Sequence, residues 1–420
     1  MTLIADTSIH TSFDTAAAAA TRRATGDVAI VGRRRQPAVT AIAATVLTLG
    51  AAWLASASGW RFAALWIVGA LLGVALYHAA FGFTHGFRVL FIERRSAHVR
   101  AQMLLLGTTV LLFYPLLAAG GVLGQPVRGF VFPAGLEVAL GAFLFGIGMQ
   151  LGGGCASGTL YTAGGGSTRM LVTLASFVVG ATLATFTWEH WHVLPSLPPI
   201  GAVQTLGLWP ALAGTLTILG LVWWGAARLE RARHGRVEPI LRRPSRSDTA
   251  SLLRGPWPFA VAALAIAVLE LATLLIAGRP WGITQAFALW GSHAVDRLGL
   301  DDPTFWAFWE EPTRADALLR PLSADITTVM DVGLIVGALL AAGLAGRFAP
   351  TLRVPLPHVL AAIVGGLLLG FGAIMATGCN ISAYVSGIAS GSLHGWLWIV
   401  AALPGNWVGT KLRPLFRLAA

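Results

Sequence analysis

Long apolar runs alternate with short polar stretches along this chain, and the alternation predicts a protein that crosses a lipid bilayer many times. A helix needs about 20 apolar residues to cross a hydrocarbon core of roughly 30 Å. Ten runs of that kind lie at 40–58, 62–83, 101–123, 134–153, 170–188, 206–228, 256–277, 325–346, 357–377 and 393–410. No run has the two-residue period of a strand. We therefore expect an all-α polytopic membrane protein with about ten spans.

Composition supports a bilayer environment. Only 11% of the 420 residues are charged and 56% are hydrophobic, whereas soluble domains carry about 25% charged residues. The net charge of +11 could suggest nucleic acid, but the basic residues lie in short stretches between the apolar runs. That placement is typical of membrane proteins, so we expect a lipid bilayer and no nucleic acid as partner.

The basic residues also predict the orientation. With ten crossings, 23 of the 29 Lys and Arg residues fall on one face of the membrane, which the positive-inside rule assigns to the cytoplasm. Both termini are then cytoplasmic, in a multi-pass protein of a bacterial inner (plasma) membrane. The first span follows a polar tail and is expected to be retained rather than cleaved.

These features divide the chain into five parts. We predict a cytoplasmic tail at 1–39, an extra span at 40–61, a first transport repeat at 62–228, a cytoplasmic linker at 229–255 and a second repeat at 256–420. The connection at 278–324 is rich in tryptophan, and we expect it to begin with a short membrane-dipping helix near 283–295.

Two sequence patterns occur twice and predict an inverted repeat. Gly141, Gly146, Gly148, Gly154 and Cys155 recur 224 residues later as Gly365, Gly370, Gly372, Gly378 and Cys379. Gly82, Thr84 and Phe87 recur 200 residues later as Gly282, Thr284 and Phe287. In the predicted topology the two copies have opposite orientations. Secondary transporters commonly use this arrangement, with the site at the repeat interface. Glycines at helical spacing are also explained by close helix packing alone.

Each Gly-Cys element is expected to break its helix within the membrane. Glycine disfavours helix interiors, and broken backbone at membrane depth is tolerated only inside protein or beside a cavity. Short helices should then begin near Ser157 and after Cys379, and their N-termini suit an anion. A thiol is a soft group that matches a sulfur-bearing solute, although a free cysteine is most often a small buried hydrophobe. The candidate pathway residues are Gly154, Cys155, Ser157, Gly378, Cys379, Asn380 and Ser382.

The paired Gly-Cys elements resemble those of the YeeE/YedE (sulfur transport) family, whose characterised members take up thiosulfate. The resemblance covers about 62–415. It implies that the anion passes along a central path between cysteine thiols, with Cys155 and Cys379 matching two of the family's cysteines. Many members carry another cysteine near 81–87, where this chain offers Thr84 or His85. Thr284 and Gln285 occupy the matching place in the second copy. The resemblance also implies a cytoplasmic sulfur-carrier protein as a partner.

Glu270 is a carboxyl in mid-span and a candidate proton carrier, although it could equally bond to a neighbouring helix. Asp331 and Glu137 lie near span ends and are expected to be solvated or capping. No nucleotide-binding motif and no metal-ligand spacing is present, so neither a cofactor nor a metal is predicted. Two alternatives to a thiosulfate permease stay open: a thiol-dependent membrane sulfurtransferase, and a channel for another small solute such as a selenium compound.

Overall fold

The fold was taken from a computed structural model, which describes residues 35–122, 124–241 and 252–419. Most of the predicted tail at 1–39 and the middle of the predicted linker lie outside the described residues. Helices dominate the described part. In chain order we label them α1 (Pro37–Ala57), α2 (Trp60–Ala79), α3 (Phe83–Glu93), α4 (Ala97–Ala119), α5 (Leu136–Gly152), α6 (Ala156–Gly164), α7 (Thr168–Phe186), α8 (Trp188–Trp191), α9 (Ala202–Leu206), α10 (Leu208–His234), α11 (Phe259–Ala277), α12 (Ile283–Arg297), α13 (Pro312–Leu319), α14 (Ile326–Ala345), α15 (Leu356–Met375), α16 (Ser386–Ala389) and α17 (Leu393–Leu412).

The remaining elements are small. A π-helix at Asn380–Val385 leads directly into α16, and four short 3₁₀ turns lie at Pro303–Phe305, Ala307–Trp309, Leu322–Ala324 and Arg413–Phe416. Two antiparallel pairs of two-residue strands join Gly121–Val122 to Gln125–Pro126 and Ala134–Gly135 to Ser196–Leu197. They close connections between helices, so the all-α prediction is confirmed.

The predicted spans coincide with long helices. Among the described residues, nine helical stretches are long and apolar enough to cross a membrane. The tenth predicted span, 393–410, is the 20-residue helix α17, which is less apolar. The predicted span at 206–228 continues as helix to His234, because Arg231, Arg233 and His234 are placed favourably at a helix C-terminus. The protein is a multi-pass membrane protein, and the count of ten crossings stays a prediction.

Helices α2 and α11 run antiparallel, which places the helices that follow them, α3 and α12, at opposite ends of the pair. We call α3 and α12 the two dipping elements, after the prediction for 283–295. At one end Arg61 Nη2 donates to the Ile276 carbonyl at 2.6 Å. At the other end the Trp257 backbone N–H donates to the His78 carbonyl at 2.9 Å. Helix α3 follows the C-terminus of α2, and α12 follows the C-terminus of α11. Their N-termini therefore lie at opposite ends of the helix pair.

Packing partners in the first half have counterparts in the second. Helix α7 packs against α15, and α17 packs against α5. Likewise α14 packs on α2, and α4 packs on α11. Helices α5 and α15 contact each other, as do α2 and α11. Exchanging the halves along the chain thus maps α7–α15 onto α17–α5 and α14–α2 onto α4–α11, while α5–α15 and α2–α11 each map onto themselves.

The repeated glycines lie where helix backbones touch. A Cβ on Gly141 would meet the backbone of Gly372, and one on Gly148 would meet the backbone of Gly365. Residues later in α5 therefore face residues earlier in α15, so the two helices cross antiparallel at their glycines. Gly146 lies in the same way against α17, and Gly370 against α7. Six of the repeated glycines thus permit close helix packing, which is the plainer of the two interpretations above.

Candidate functional site

Cys155 lies where the chain breaks between α5 and α6. Gly153 has φ +92°, a backbone conformation that glycine adopts readily, and it ends α5. Cys155 is extended and is the N-cap of α6. Its Sγ lies 3.4 Å from the Gly158 backbone nitrogen, which donates to it, and 3.3 Å from Ser157 Oγ. The predicted break and the short helix near Ser157 are both present.

Cys379 has the same place in the second half. Gly378 has φ +147°, and Cys379 is the N-cap of the π-helix. Ser382 Oγ accepts from the Cys379 backbone N–H at 2.9 Å and lies 3.5 Å from Cys379 Sγ. Each thiol is therefore beside a serine hydroxyl at the start of a short helix. Both cysteines are buried.

Asn380 is fully buried beside Cys379, and neither its side-chain oxygen nor its nitrogen has a hydrogen-bond partner among the described residues. Such a group can donate to an anion oxygen and accept from a hydroxyl. The structure thus gathers the predicted residues Gly378, Cys379, Asn380 and Ser382 at one break, and Gly154, Cys155 and Ser157 at the other.

The two dipping elements present their polar residues alike. Thr84 and Thr284 are buried, whereas His85 and Gln285 are exposed. Gln150 Nε2, near the C-terminus of α5, donates to the Thr84 carbonyl at 3.0 Å. We call the surface around Gln285 the Gln285 mouth and the surface around His85 the His85 mouth. They lie on opposite faces, at the N-termini of α12 and α3.

A cavity connects the Gln285 mouth to the second Gly-Cys element. It has a volume of about 140 Å³, and its lining includes Thr284, Gln285, Gly378 and Ser382. A neighbouring cavity of about 330 Å³ is lined by Arg279 and Arg314 and shares Gln285 with the first. Polar residues that lie nearly 100 positions apart in sequence thus line one continuous surface that leads to the cysteine element.

Arg314 is the residue of this mouth that the sequence did not single out. It lines both cavities, and its guanidinium lies 4.3 Å from the Phe308 ring and 4.8 Å from the Trp188 ring. Burial lowers the pKa of Arg314, while Glu311 and Glu137 act in the opposite direction. A guanidinium held over aromatic faces keeps its charge at neutral pH. The sequence feature that could have pointed to Arg314 is its position within the tryptophan-rich connection at 278–324.

A cluster of arginines lies at the His85 mouth. Arg88 Nη2 lies 3.1 Å from His85 Nδ1. Arg413 Nη1 donates to the Gln150 carbonyl at 2.7 Å, and Arg169 Nη2 donates to the Leu151 carbonyl at 2.6 Å. Burial, followed by the charges of Arg88 and Arg169, lowers the pKa of Arg413 to about 10. The C-terminus of α5 is thereby capped by two cations, and the charges of Arg88 and Arg169 both act on Arg413.

Aromatic rings fill the region between the mouths. Consecutive ring centroids lie 4.7 to 6.3 Å apart in the series Phe287, Phe177, Phe145, Trp398, Tyr384 and Phe83. Trp398 Nε1 donates to the Gly378 carbonyl at 3.1 Å, which fixes the backbone before Cys379. The series starts on α12 and ends on α3, so an apolar layer lies between the two dipping elements.

Glu137 and Glu270 are both buried, but in different surroundings. Glu137 Oε2 lies 3.4 Å from His192 Nδ1 and lines the Gln285 mouth; of the two environments expected, solvated or capping, its buried place in the first turn of α5 fits the second. Glu270 lies in α11 and is absent from the linings of the two cavities at the Gln285 mouth. Glu270 therefore lies outside the cavities of the Gln285 mouth among the described residues.

Buried helix breaks between two charged mouths are the arrangement expected of a polytopic membrane transporter. The chain belongs to the sulphur transport family, whose model matches residues 78–408. It is 28% identical over 348 residues to "Thiosulfate transporter TsuA" of Spirochaeta thermophila, covering 81% of this chain and 96% of that protein. It is 26% identical over 366 residues to "Thiosulfate transporter TsuA" of Escherichia coli, covering 82% and 93%. "Probable transporter YedE" of Escherichia coli is 29% identical over 168 residues, 39% and 40% of the two chains. The protein is thus a transporter rather than an enzyme.

Proposed function

We propose that this protein is an inner-membrane permease that takes up thiosulfate or a related sulfur-containing anion. The anion enters at the Gln285 mouth, passes Cys379 and then Cys155, and leaves at the His85 mouth. Two relatives that cover most of the chain bear the name thiosulfate transporter. The observation that carries the proposal is the pair of buried cysteine N-caps, one of which adjoins the cavity from the Gln285 mouth.

The chemistry of the path suits a soft anion. Arginines at each mouth attract negative charge, whereas the residues between them are mainly aromatic and offer few strong donors. A hard, strongly hydrated oxyanion loses much hydration there. A thiosulfate ion presents a polarisable terminal sulfur that accepts S–H···S contacts, while Ser157, Ser382 and Asn380 donate to its oxygens.

The symmetric packing supports an inverted repeat, with 62–228 and 256–420 as its halves and 229–255 as the linker between them. The antiparallel pairs α2 and α11, and α5 and α15, are those that a two-fold axis in the membrane plane would produce. In this topology the Gln285 mouth faces outward and the His85 mouth faces the cytoplasm, as do both termini. A cytoplasmic sulfur-carrier protein as partner stays a prediction.

Inward movement of this substrate is opposed by the membrane potential. Moving one elementary charge across 100 mV changes the free energy by about 2.3 kcal/mol, so a dianion meets about twice that cost when the cytoplasm is negative. Accumulation therefore needs rapid consumption inside or movement of a compensating cation.

Growth on thiosulfate tests the proposal. A bacterium that lacks its own sulfate and thiosulfate uptake is given this chain, with thiosulfate as the sole sulfur source. We expect growth with the unaltered chain and none with the empty vector. Absence of growth, with the protein detected in the membrane, would contradict the proposal. Rescue of selenium-dependent growth alone would favour the alternative channel.

Replacing Arg314 by Ala should weaken capture of the anion at the Gln285 mouth. We expect KM for thiosulfate uptake to rise about tenfold, equivalent to about 1.4 kcal/mol of lost binding, with little change in maximal rate. Initial rates of labelled thiosulfate uptake measure both. Arg320→Ala is the matched control, because Arg320 is exposed and pairs with Asp316 at 2.7 Å on the surface. Equal KM values for the two variants would remove Arg314 from the path.

A further inference from the structure

Two carboxylic acids outside the cysteine path belong to one buried network. Glu270 in α11 and Asp331 in α14 are both completely buried, so the expectation that Asp331 would be solvated or capping is wrong. Trp281 Nε1 donates to Asp331 Oδ1 at 3.0 Å. The Trp281 backbone N–H acts on the Glu270 carboxyl, although neither Glu270 oxygen has a hydrogen-bond partner among the described residues. The buried Trp281 therefore lies between the two acids.

Both acids have oxygen atoms free to hold a proton. Neither Glu270 oxygen has a hydrogen-bond partner among the described residues, and Asp331 Oδ2 also has none. A purely structural acid would use these oxygens to bond a neighbouring helix. An ionised carboxylate is very costly at such a place without a counter-charge, so each acid is stable there only with a proton or another cation bound.

The charged groups around the acids offer no counter-ion in the described part of the chain. Helices α2 and α4 pack on α11, and α1, α2, α6 and α12 pack on α14. Their titratable side chains are Arg61, Tyr77, His78, His98, Arg100, Tyr114, Tyr161, His293, Asp296 and Arg297. None is paired with Glu270 or Asp331. Asp325 is the charged group that acts on Asp331, and Arg279 interacts with Asp325.

The first repeat lacks this network. At the 200-residue offset, Glu270 corresponds to Ala70 and Trp281 corresponds to Phe81, which has no ring N–H. Ala70 and Phe81 are buried in a helix and loop of the same kind. The fold of a repeat therefore does not require an acid or a tryptophan at these places, and the second half carries them for another reason.

We propose that Glu270 and Asp331, joined by Trp281, form a proton-binding site that couples proton entry to uptake of the anion. This inference rests on the proposed function. Trp281 precedes Thr284 and Gln285, which line the cavity at the Gln285 mouth. Binding of a proton at the two acids therefore affects the segment that begins α12. Each proton is taken up from outside by a carboxylate oxygen and released inside, so the net charge that moves with a dianion is reduced.

Proteoliposomes that contain the purified protein and a trapped pH-sensitive dye test the site. External thiosulfate should acidify the interior when the unaltered protein is present. We expect Glu270→Gln and Asp331→Asn to lower proton flux per anion at least about fivefold, while thiosulfate counterflow, which needs no net proton movement, changes less than about twofold. Trp281→Phe keeps the ring and removes the donor to Asp331, and should give an intermediate loss. Glu310→Gln, at an exposed position of the same connection, is the matched control.

The two proposals fail in different ways. Thiosulfate counterflow by the unaltered protein without any thiosulfate-driven acidification would overturn the proton site and leave the permease intact. Full proton flux in the Glu270→Gln/Asp331→Asn double variant would also overturn it. Absence of counterflow by the unaltered, folded protein would overturn the proposed substrate and the coupling with it. Recovery of proton flux in Glu270→Asp would support a carboxyl as the proton carrier.

Discussion

Cys379→Ser and Cys155→Ser should each reduce thiosulfate uptake at least about tenfold, which corresponds to about 1.4 kcal/mol or more of added barrier. A hydroxyl is shorter and harder than a thiol, so it cannot replace S–H···S contacts with the terminal sulfur of the anion. The change is nearly isosteric and leaves the helix cap in place, because serine is a favoured N-cap residue. Folding should therefore survive while uptake falls.

Labelled thiosulfate uptake into cells, normalised to protein in the membrane, measures this effect. Ser157→Ala and Ser382→Ala are the comparison variants, since each removes the hydroxyl beside a thiol and leaves the sulfur. We expect a smaller loss from them than from the cysteine variants. Serine variants that transport at the unaltered rate would exclude a thiol relay even if the protein transports thiosulfate.

Gly365→Ala should severely destabilise the fold. A Cβ at this position would collide with the backbone nitrogen of Gly152 at the crossing of α5 and α15, and helix backbones cannot give way as a flexible side chain can. Overpacking typically costs about 1–3 kcal/mol and sometimes more. For a chain of this size we expect the melting temperature to fall by roughly 1–4 °C, with a loss of monodisperse protein in detergent.

Gly220→Ala is the matched control, because no atom lies within 4 Å of a Cβ built there. It is also a glycine within a long helix, so alanine there should be neutral or slightly stabilising. The melting temperatures of both variants, and their size-exclusion profiles in detergent before heating, test whether Gly365 is required for helix packing. Equal melting temperatures would contradict the assignment of the repeated glycines to helix packing.

The architecture was predictable because bilayer crossing is a property of local sequence. A run of about 20 apolar residues specifies a spanning helix wherever it lies, and in the part of the chain that the structure describes, the nine helical stretches that are apolar enough to cross a membrane match nine predicted runs. Helix ends were less predictable. The span expected to end at 228 continues to His234, since hydropathy reports where apolar residues stop rather than where backbone hydrogen bonds stop.

The break at each cysteine was also predictable, because glycine acts through its own backbone. Gly153 and Gly378 adopt positive φ, and Cys155 and Cys379 start the short segments that follow. For the repeated glycines within α5 and α15, the sequence left two interpretations open: an inverted repeat with a functional role, or close helix packing alone. Only the facing helix could decide between them, and it assigns Gly141, Gly148 and their counterparts to packing.

The sequence by itself determined that the protein is a multi-pass membrane protein, where its long apolar helices lie and the position of both helix breaks. These depend on hydropathy, glycine conformation and spacing, all of which are local. The tertiary structure alone decided which distant residues share a surface. Arg314 reaches the cavity that leads to Gly378, and Asp331 becomes a buried acid through Trp281. Nothing in the neighbouring residues of either side chain specifies that contact, because burial and electrostatic environment are set by helices that pack from elsewhere in the chain.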